Sequence, residues 1–286
     1  MCNFAKRKNV IERIMDVKIK ACCKVNIGLN IVSKREDGYH NLETVFYPVP
    51  LYDDIRLTSS DADGISIDGY ALDCDPMDNL VMRSVRLLRQ NGYHVPPVHV
   101  MLTKRIPSGA GLGGGSSDAA HVVKALDRAL SLGIDLGKME DMLSTLGADC
   151  PFFVRCQPVY AEGIGNVFTP IGLNLSGWHI LLVKPDEHIS TREAYSSVTP
   201  MLSDSYLPTL LQSPVKTWRD RVKNDFEQSV FPLHPRIEEI RDYLYASGAS
   251  YACMSGSGST VFGLYQRHPA ELPDAFGDCF TFVGVL

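Results

Sequence analysis

Hydrophobic and polar positions follow two different periods along this chain, and each period predicts one kind of element. After residue 115, apolar side chains recur at helical spacing, so Val122, Val123 and Leu126 would share one helix face. Between residues 24 and 31, apolar side chains alternate with polar side chains and glycine, which predicts a half-buried strand. The chain is therefore expected to contain both helices and strands.

The elements predicted in this way alternate irregularly along the chain. The predicted strands cover 17–33, 42–60, 97–104, 152–161, a segment from His179, two segments around residues 255–260 and the C-terminus. The predicted helices cover 79–91, 116–131, 136–146, 191–198, 216–230 and 235–247. Irregular alternation indicates an α+β fold rather than a doubly wound sheet. Prolines and glycines gather between 170 and 177, so we expect one domain over residues 1–170 and a second over 171–286.

Composition narrows the class of protein. The chain has 286 residues, of which 45% are hydrophobic, and can bury one large core or two moderate ones. Its net charge of −5 gives no basic footprint, so we expect no nucleic-acid partner. No stretch approaches the ~20 apolar residues that span a bilayer, so we expect no membrane partner. Residues 1–14 contain basic side chains without an apolar segment, which predicts an N-terminal extension rather than a secretory signal.

The chain contains eight cysteines, an even number that is compatible with disulfides. Their placement argues against pairing, because Cys22 and Cys23 are adjacent and most of the others lie in apolar runs. No C-x-x-C pair is present, so a structural zinc site is not expected. Free thiols in a reducing compartment are the simplest interpretation, and we expect a cytoplasmic protein.

Residues 107 to 120 read PSGAGLGGGSSDAA and lead directly into a predicted helix. The glycines leave the backbone free to adopt positive φ angles and to approach a ligand closely. Successive N–H groups can then point into one concavity, and the helix N-terminus behind them favours negative charge. The segment predicts a phosphate site made of Pro107, Gly109, Gly111, Leu112, Gly113, Gly114, Gly115, Ser116 and Ser117.

Other glycine motifs fit this loop poorly. The Walker A pattern requires a Lys followed by Ser or Thr after its last glycine, and none is present. The dinucleotide fingerprint can be placed on Gly109, Gly111 and Gly114, but its acidic residue would be Asp135, which follows a helix rather than a strand. The protein-kinase tripeptides H-R-D and D-F-G do not occur. A flexible linker is also a poor interpretation, because linkers do not open amphipathic helices.

Two further sets of polar residues are candidates for chemistry. Lys24 and Asn26 lie on one face of the first predicted strand, where a solvated surface is the ordinary alternative. Asp149 follows a predicted helix that Pro151 prevents from continuing, and an Asp at a helix exit often marks only a turn. From the residues alone, both interpretations stay open.

A turn and a second glycine-rich loop complete the candidates. The Asp37–Gly38 dipeptide predicts a hairpin, and Tyr39 and His40 begin its returning strand, where both could be ordinary surface residues. Residues 256–259 form a glycine-serine loop between two apolar segments, which by itself predicts another hairpin. The acidic pair at 53–54 is interpreted as the start of a strand.

Taken together, these motifs resemble one family. The pattern P-x-G-A-G-L-G-G-G-S-S-[DN]-A is similar to the phosphate-binding loop of the GHMP kinases, named for galactose, homoserine, mevalonate and phosphomevalonate. The segments ACCKVNIGLNI, R-x-D-G-Y-H, G-A-D-C-P and A-E-G-I-G resemble further signatures, so the resemblance spans residues 21–262. The chain departs from the pattern at Cys22, where many members have Pro, and at Asn166, where an acid is usual. The triple glycine and D-G-Y-H are most similar to the branch that phosphorylates a methylerythritol linked to cytidine diphosphate, in the non-mevalonate isoprenoid pathway.

The resemblance implies an architecture and a chemistry. It implies an N-terminal domain like ribosomal protein S5, a ferredoxin-like C-terminal domain, and an active site in the cleft between them. ATP would donate the phosphoryl group with Mg²⁺ bound, Asp149 would be the catalytic base and Lys24 its electrostatic partner. Ser117 is a possible Mg²⁺ ligand. Asp118 is expected to cap the helix, with a water-mediated Mg²⁺ contact as the minority alternative.

The resemblance also implies a substrate pocket. Tyr39 would stack on the cytosine, His40 would hydrogen-bond its polar edge, and Tyr195 would supply the second aromatic wall. The other implied substrate residues are Asn26, Phe46, Thr191, Gly256 and Ser257. The partner would be a small molecule, the cytidine diphosphate-linked methylerythritol, and we expect a monomer or a weak homodimer. The segment KNDFE (223–227) is expected to serve helix packing, with only a minor role in the site.

Three other functions stay open at this point. A GHMP kinase of the homoserine or phosphomevalonate type would lack the D-G-Y-H segment. A catalytically silent nucleotide-binding module would not need both Lys24 and Asp149. A dinucleotide-dependent oxidoreductase would respond to NAD(H) and is the weakest of the three.

Overall fold

The computed structural model describes residues 15–71, 74–202 and 205–286, and the expected N-terminal extension, residues 1–14, lies outside them. The described residues form two sheets. The strands of the first are β1 (Asp16–Lys34), β2 (His40–Ser59), β3 (Gly64–Gly69), β4 (Val98–Lys104), β5 (Val159–Glu162) and β6 (Val167–Pro170). The strands of the second are β7 (His179–Lys184), β8 (Tyr251–Met254), β9 (Val261–Tyr265) and β10 (Phe280–Val285).

The helices connect and cover these sheets. The α-helices are α1 (Leu80–Gln90), α2 (Gly114–Leu130), α3 (Leu136–Ser144), α4 (Phe152–Arg155), α5 (Thr191–Tyr195), α6 (Leu207–Leu210), α7 (Phe226–Val230) and α8 (Pro235–Ala246). Three short 3₁₀ turns lie at Pro76–Asp78, Val215–Thr217 and Asp274–Phe276. Within the described ranges, every helix is too short or too polar to span a bilayer.

The first sheet is organised around β2, which pairs with β1, β4 and β5 along its length. The hairpin predicted at Asp37–Gly38 joins β1 to β2, and Gly38 there adopts a φ of 87°. The strand order is β3-β4-β2-β5-β6, and β3 runs parallel to β4. Since β2 is 20 residues long, it pairs with β5 over residues 44–46 and with β4 over residues 54–59.

The second sheet is antiparallel with the order β10-β7-β9-β8. Along β7, Ile180 and Leu182 face the first sheet, whereas Leu181 and Val183 face the helices behind. Three hydrophobic cores follow from this layering. One lies between the first sheet and α1–α3, one between the two sheets around Trp218, and one between the second sheet and α5, α7 and α8.

The predicted α+β fold is confirmed, but some of the predicted elements differ from the structure. The segment 152–161 was expected to be a strand, whereas its first part is helix α4 and only Val159–Glu162 is extended. Pro151 begins that helical turn. Since Phe152, Phe153 and Val154 are all buried, the run of consecutive apolar residues was interpreted as a buried strand. Strand β3, with its polar sequence, was not predicted at all.

The predicted helix at 216–230 is interrupted. A 3₁₀ turn ends at Thr217 and α7 begins only at Phe226, because the chain between them pairs with β1. Leu29 donates its N–H to the Lys223 carbonyl at 2.8 Å, and its carbonyl accepts from the Asp225 N–H at 2.8 Å. This tertiary bridge replaces the helical hydrogen bonds that the local sequence favours.

Candidate active site

Lys24 and Asn26 lie on β1 in the wall of a cleft of about 200 Å³. Both side chains are buried, so a solvated strand face is the wrong interpretation. The Lys24 ammonium donates to Asn26 Oδ1 at 2.6 Å and to the Gly111 carbonyl at 3.1 Å. Asn26 Nδ2 in turn donates to Thr44 Oγ1 at 3.0 Å. This chain of hydrogen bonds fixes the direction of the Lys24 side chain.

Asp149 reaches the same cleft from the turn between α3 and α4. Its Oδ2 lies 3.4 Å from Lys24 Nζ, and the Phe46 ring centroid lies 4.9 Å from the same ammonium. The turn is closed by a hydrogen bond from the Cys150 N–H to the Gly147 carbonyl at 3.2 Å. A buried cation thus stands beside a carboxylate that faces the open side of the cleft.

The glycine-rich segment forms a loop followed by a helix that has no side-chain cap. Gly111 and Gly113 adopt φ angles of 75° and 70°, which other residues rarely accept. Helix α2 begins at Gly114, two residues earlier than predicted, and its first backbone bond runs from the Ser117 N–H to the Gly113 carbonyl. The preceding N–H groups and the positive end of the helix dipole are therefore available to an anion.

The second glycine-rich loop packs against the first. Ser255 Oγ donates to the Gly111 carbonyl at 2.9 Å and accepts from the Asn26 N–H at 3.1 Å. The contact is so close that a Cβ added to Gly111 would lie 2.0 Å from the Ser255 carbonyl oxygen. Gly256 and Ser257, which follow, line the cleft opposite Lys24. The two loops, far apart in sequence, thus form one rim.

Asn224 is a residue whose importance the sequence did not reveal. Its buried Nδ2 donates to the carbonyls of Met254 and Gly256, each at 2.8 Å, and so holds the second glycine-rich loop. The neighbouring Asp225 accepts from the Ile31 N–H at 2.7 Å. The segment 223–227 therefore does more than pack helices. The family resemblance of KNDFE was the available signal, but it does not reveal these contacts.

Ser117 and Asp118 do not have the surroundings expected of them. The buried Ser117 hydroxyl donates to the Cys22 carbonyl, so it is turned toward β1 and does not face the cleft. Asp118 lies beyond the first helical turn and does not cap it, because its Oδ2 accepts from Lys104 Nζ at 2.8 Å. Asp53, which lies within β2 rather than at its start, forms a second ion pair with Lys104.

This buried triad positions the phosphate loop. Asp53 Oδ1 also accepts from the backbone N–H groups of Arg105 and Ile106, where the loop begins. Burial raises the pKa of Asp118 to about 7. Burial alone would lower the pKa of Lys104, but the two carboxylates outweigh it and raise that pKa. The triad thus anchors β2, the loop and α2 to one another.

The aromatic residues at the other end of the cleft are arranged differently from the prediction. The His40 ring stacks on Tyr195 with centroids 4.7 Å apart and planes 18° apart. Tyr39, expected to stack on a base, is 62% exposed, and neither Tyr39 nor His40 belongs to the described lining of the cleft, which His40 reaches only through its contact with Tyr195. Burial and the nearby Lys34 lower the pKa of His40, so this ring is neutral near pH 7 and can both donate and accept.

His234 fixes the helix that carries Thr191 and Tyr195. Its Nδ1 lies 2.6 Å from Glu187 Oε2 and its Nε2 lies 2.9 Å from Glu193 Oε1, on α5. Burial alone would lower the pKa of His234, but the hydrogen bonds to the two carboxylates outweigh it and raise that pKa above 6.5. A protonated His234 therefore clamps α5 to the segment after β7.

Most of the residues predicted from the sequence converge on this cleft. Those that line it are Lys24, Asn26, Phe46, Gly111, Gly113, Asp149, Thr191, Tyr195, Gly256 and Ser257. The other predicted phosphate-loop residues do not belong to this described lining, namely Pro107, Gly109, Leu112, Gly114, Gly115, Ser116 and Ser117. Thr44, Gly165 and Phe226 also line the cleft and were not predicted.

Comparison with known proteins identifies the family. The model of the GHMP kinases N terminal domain matches residues 79–157, and that of the GHMP kinases C terminal domain matches residues 208–280. A 4-diphosphocytidyl-2-C-methyl-D-erythritol kinase of Parabacteroides distasonis is 48% identical, over 92% of this chain and 97% of that protein. One of Bacteroides fragilis is 49% identical, over 91% of this chain and 96% of that protein.

Solved structures agree with these relatives. A crystal structure of 4-(cytidine 5'-diphospho)-2C-methyl-D-erythritol kinase has a TM-score of 0.77 and 33% identity, covering 93% of this chain and 98% of the other. A Streptococcus pneumoniae phosphomevalonate kinase has a TM-score of 0.64 but 15% identity, over 95% of this chain and 100% of the other, and so shares the fold alone. The two-domain GHMP architecture expected from the sequence is confirmed. This chain belongs to the 4-diphosphocytidyl-2-C-methyl-D-erythritol kinase family of the GHMP kinases.

Proposed function

We propose that the protein transfers the γ-phosphoryl group of ATP to the 2-hydroxyl of 4-diphosphocytidyl-2-C-methyl-D-erythritol. The observation that carries the reaction type is the Lys24–Asp149 pair, which faces a cleft rimmed by two glycine-rich loops. The relatives' names supply the substrate. Phosphoryl transfer needs positioning and charge neutralisation more than covalent chemistry by the protein, and this cleft offers both.

The first glycine-rich loop and the start of α2 would hold the triphosphate. The uncapped helix N-terminus supplies N–H donors and a favourable dipole, and the absence of side chains at Gly111 and Gly113 lets phosphate oxygens approach the backbone. Gly256 and Ser257 would close over the same phosphates and the acceptor. The buried triad around Lys104 keeps this loop in place before the nucleotide arrives.

Asp149 would accept the proton of the attacking hydroxyl. Its carboxylate is exposed to the cleft, while the neighbouring Lys24 ammonium is withdrawn behind it and tied to Asn26. When the hydroxyl attacks the γ-phosphorus, negative charge develops on the attacking oxygen and on the phosphate oxygens. Lys24 would offset this charge, because it cannot move away or be hydrated in its buried position.

The donor set of the cleft fits a magnesium ion carried by the nucleotide. The described residues contain no group of three or more metal-ligating side chains, and Asp149 is the one carboxylate in the described lining. Mg²⁺ is commonly bound by one or two carboxylates together with substrate phosphates and water. Asp149, the proposed base, would contact the ion only through a bound water, and Ser117 would not be a ligand, because its hydroxyl donates to the Cys22 carbonyl. When bound, the ion would neutralise charge on the β- and γ-phosphates.

The cytidine would bind at the end of the cleft where His40 stacks on Tyr195. The neutral imidazole can pair with the donor and acceptor edge of cytosine, and the Tyr195 ring holds His40 in one plane. Phe46 and Thr191 would border the methylerythritol and diphosphate. Tyr39 would contact the base only after moving inward from its exposed position.

We also propose the broader assignments that the sequence suggests. The break between β6 and β7 supports domains over residues 1–170 and 171–286, because each side of it carries its own sheet. The seven cysteines among the described residues are free, which suits a cytoplasmic location. The protein would act as a monomer or weak homodimer on a small-molecule substrate, without nucleic-acid or membrane partners.

A coupled ADP-release assay tests the function. Purified protein receives Mg²⁺-ATP with 4-diphosphocytidyl-2-C-methyl-D-erythritol or, in parallel, with methylerythritol phosphate, which lacks the cytidine half. We expect ADP release with the full substrate only, and release slower by about 10²-fold or more from the Asp149→Asn variant prepared identically, which excludes a contaminating kinase. ATP binding without ADP release would contradict the substrate assignment and favour a silent nucleotide-binding module.

A further inference from the structure

The thiols of Cys22 on β1 and Cys156 at the end of α4 are in contact, although the two residues are 134 positions apart in the sequence. Their Sγ atoms lie 2.6 Å from each other. Cys22 is buried and Cys156 is partly exposed. Neither side chain lines the active-site cleft, so the proposed phosphoryl transfer does not use them.

The surroundings of the pair favour a thiolate on one side. Lys124 on α2 donates to the Phe153 carbonyl at 3.1 Å, on the helix that Cys156 terminates. The hydrogen bond from Cys22 and the charge of Lys124 lower the pKa of Cys156. The same hydrogen bond, together with burial, raises the pKa of Cys22. The two cysteines are thus unequal, and the more exposed one forms a thiolate more readily.

Lys124 also lines an open groove of about 560 Å³ between β1 and α2. The other charged or titratable side chains of its described lining are Lys18, Lys20, His121 and Arg128, and burial lowers the pKa of His121 to about 4. No carboxylate contributes to that lining. The side of α2 nearest the cysteine pair therefore has a positive potential, which stabilises a thiolate.

We propose that Cys22 and Cys156 form a peroxide-sensitive thiol pair, in which Cys156 reacts first and Cys22 closes a disulfide. The Cys156 thiolate attacks one oxygen of hydrogen peroxide, breaking the O–O bond to give a sulfenic acid and hydroxide. The Cys22 thiol then attacks the Cys156 sulfur, an S–S bond forms, and the sulfenic oxygen leaves as water. Two thiols lose two electrons in total, and one peroxide is reduced to two waters. A dithiol reductant reverses the reaction.

The disulfide would tie β1 to α4 behind the phosphate loop. The Cys22 carbonyl already accepts a hydrogen bond from the Ser117 hydroxyl on α2. Because Cys156 ends α4, the elements β1, α2 and α4 meet at this point. A cross-link between residues so distant in sequence restricts the unfolded chain strongly and stabilises the folded one. We therefore expect oxidation to raise the melting temperature, a readout that does not depend on the proposed kinase activity.

The experiment uses full-length protein in which Cys2 and Cys74 are changed to Ser, since Cys74 is exposed and Cys2 lies outside the described residues. Protein treated with a small excess of hydrogen peroxide is alkylated, digested and analysed by mass spectrometry. We expect one cross-linked peptide pair, Cys22 with Cys156, which dithiothreitol separates, and a higher melting temperature. Cross-links spread over the other cysteines, or Cys156 left reduced, would overturn the proposal.

Two variants separate the roles of the two thiols. In Cys22→Ser, Cys156 should accumulate as a sulfenic acid that a dimedone reagent traps, whereas in Cys156→Ser the Cys22 thiol should stay reduced. If either variant folds poorly, the rate at which Cys156 is alkylated in the parent protein provides an independent test of the thiolate assignment. Lys124→Met should slow that rate severalfold, and Lys18→Met, at the far end of the same groove, should change it much less. Equal rates in the parent and in Lys124→Met would refute the thiolate assignment.

Discussion

The ammonium of Lys24 lies 3.4 Å from Oδ2 of Asp149, and the two side chains differ strongly in exposure, at 4% and 32%. The hydrogen bonds of Lys24 to Asn26 and Gly111 hold the cation in place. Asp149 is held by fewer contacts and opens onto the cleft. The cation is thus fixed in place, while the carboxylate stays accessible from the cleft.

Asp149→Asn should reduce kcat by about 10²–10⁴-fold, because a proton acceptor contributes a factor of that size. Lys24→Met should abolish most turnover as well, since it removes the fixed charge beside the reacting atoms. ATP binding should survive in both variants, as measured by isothermal titration calorimetry. Asp141→Asn, an exposed carboxylate on α3, is the matched control and should leave turnover unchanged. Near-normal turnover in either site variant would remove that residue from the mechanism.

Gly111→Ala tests the contact between the two glycine-rich loops. The added Cβ would lie 2.0 Å from the Ser255 carbonyl oxygen, and the backbone there has a φ of 75°. Alanine at such a position destabilises by more than about 1 kcal/mol, and the loops must also separate. We expect a lower melting temperature and at least a tenfold higher KM for ATP in steady-state assays.

Gly172→Ala is the control for that substitution. No atom lies within 4 Å of its added Cβ, and its φ is not in the left-handed region. Its melting temperature and KM should match those of the parent. Equal behaviour of the two variants would mean that the close contact between Gly111 and Ser255 does not matter for nucleotide binding.

The sequence predicts the chemistry of the cleft better than its geometry. Lys24, Asp149 and the glycine-rich loop were recognisable because they match a family pattern, whereas the local settings of Lys24 and Asp149 alone are ordinary ones. The ion pair of Asp118 with Lys104 was not recognisable, because Lys104 lies on β4, distant from α2 in its local sequence pattern, and no such pattern reveals a buried ion pair. For the same reason, Asp53 was mistaken for the start of a strand.

The prediction of secondary structure from the sequence failed where tertiary contacts override the local conformational preference of the chain. The segment before α7 has helical periodicity, but its backbone pairs with Leu29 of β1. Gly28, with a φ of 69°, shifts the register of β1, so Leu29 joins Lys24 and Asn26 in the cleft although simple alternation predicts the opposite face. Neither effect can be derived from one strand or helix considered alone.

The aromatic end of the cleft gives a prediction that separates His40 from Tyr39. His40→Ala should raise the KM for the cytidine-linked substrate by about 2–10-fold, the loss expected when a hydrogen bond worth about 0.5–1.5 kcal/mol is removed. The KM for ATP should stay the same. Tyr39→Ala should have a smaller effect, because Tyr39 is 62% exposed, whereas His40 is half-buried against Tyr195 of the cleft. A larger effect in Tyr39→Ala than in His40→Ala would show that Tyr39 closes over the base on binding.

His234 should make the stability of the protein depend on pH. Its hydrogen bonds to Glu193 and Glu187 raise its pKa above the value of 6.5 expected in the unfolded chain. The folded state therefore binds this proton more tightly, so the stabilisation is fully present below pH 6.5 and is lost as the pH rises through the folded-state pKa. The melting temperature of the parent should exceed that of His234→Gln by roughly 1–3 °C near pH 6, and this difference should shrink by pH 9. Glu239→Gln, at a solvent-facing position on α8, is the control and should show no such trend. A difference that stays constant with pH would mean that His234 acts by packing alone, and α5 would then hold Thr191 and Tyr195 without the charge on His234.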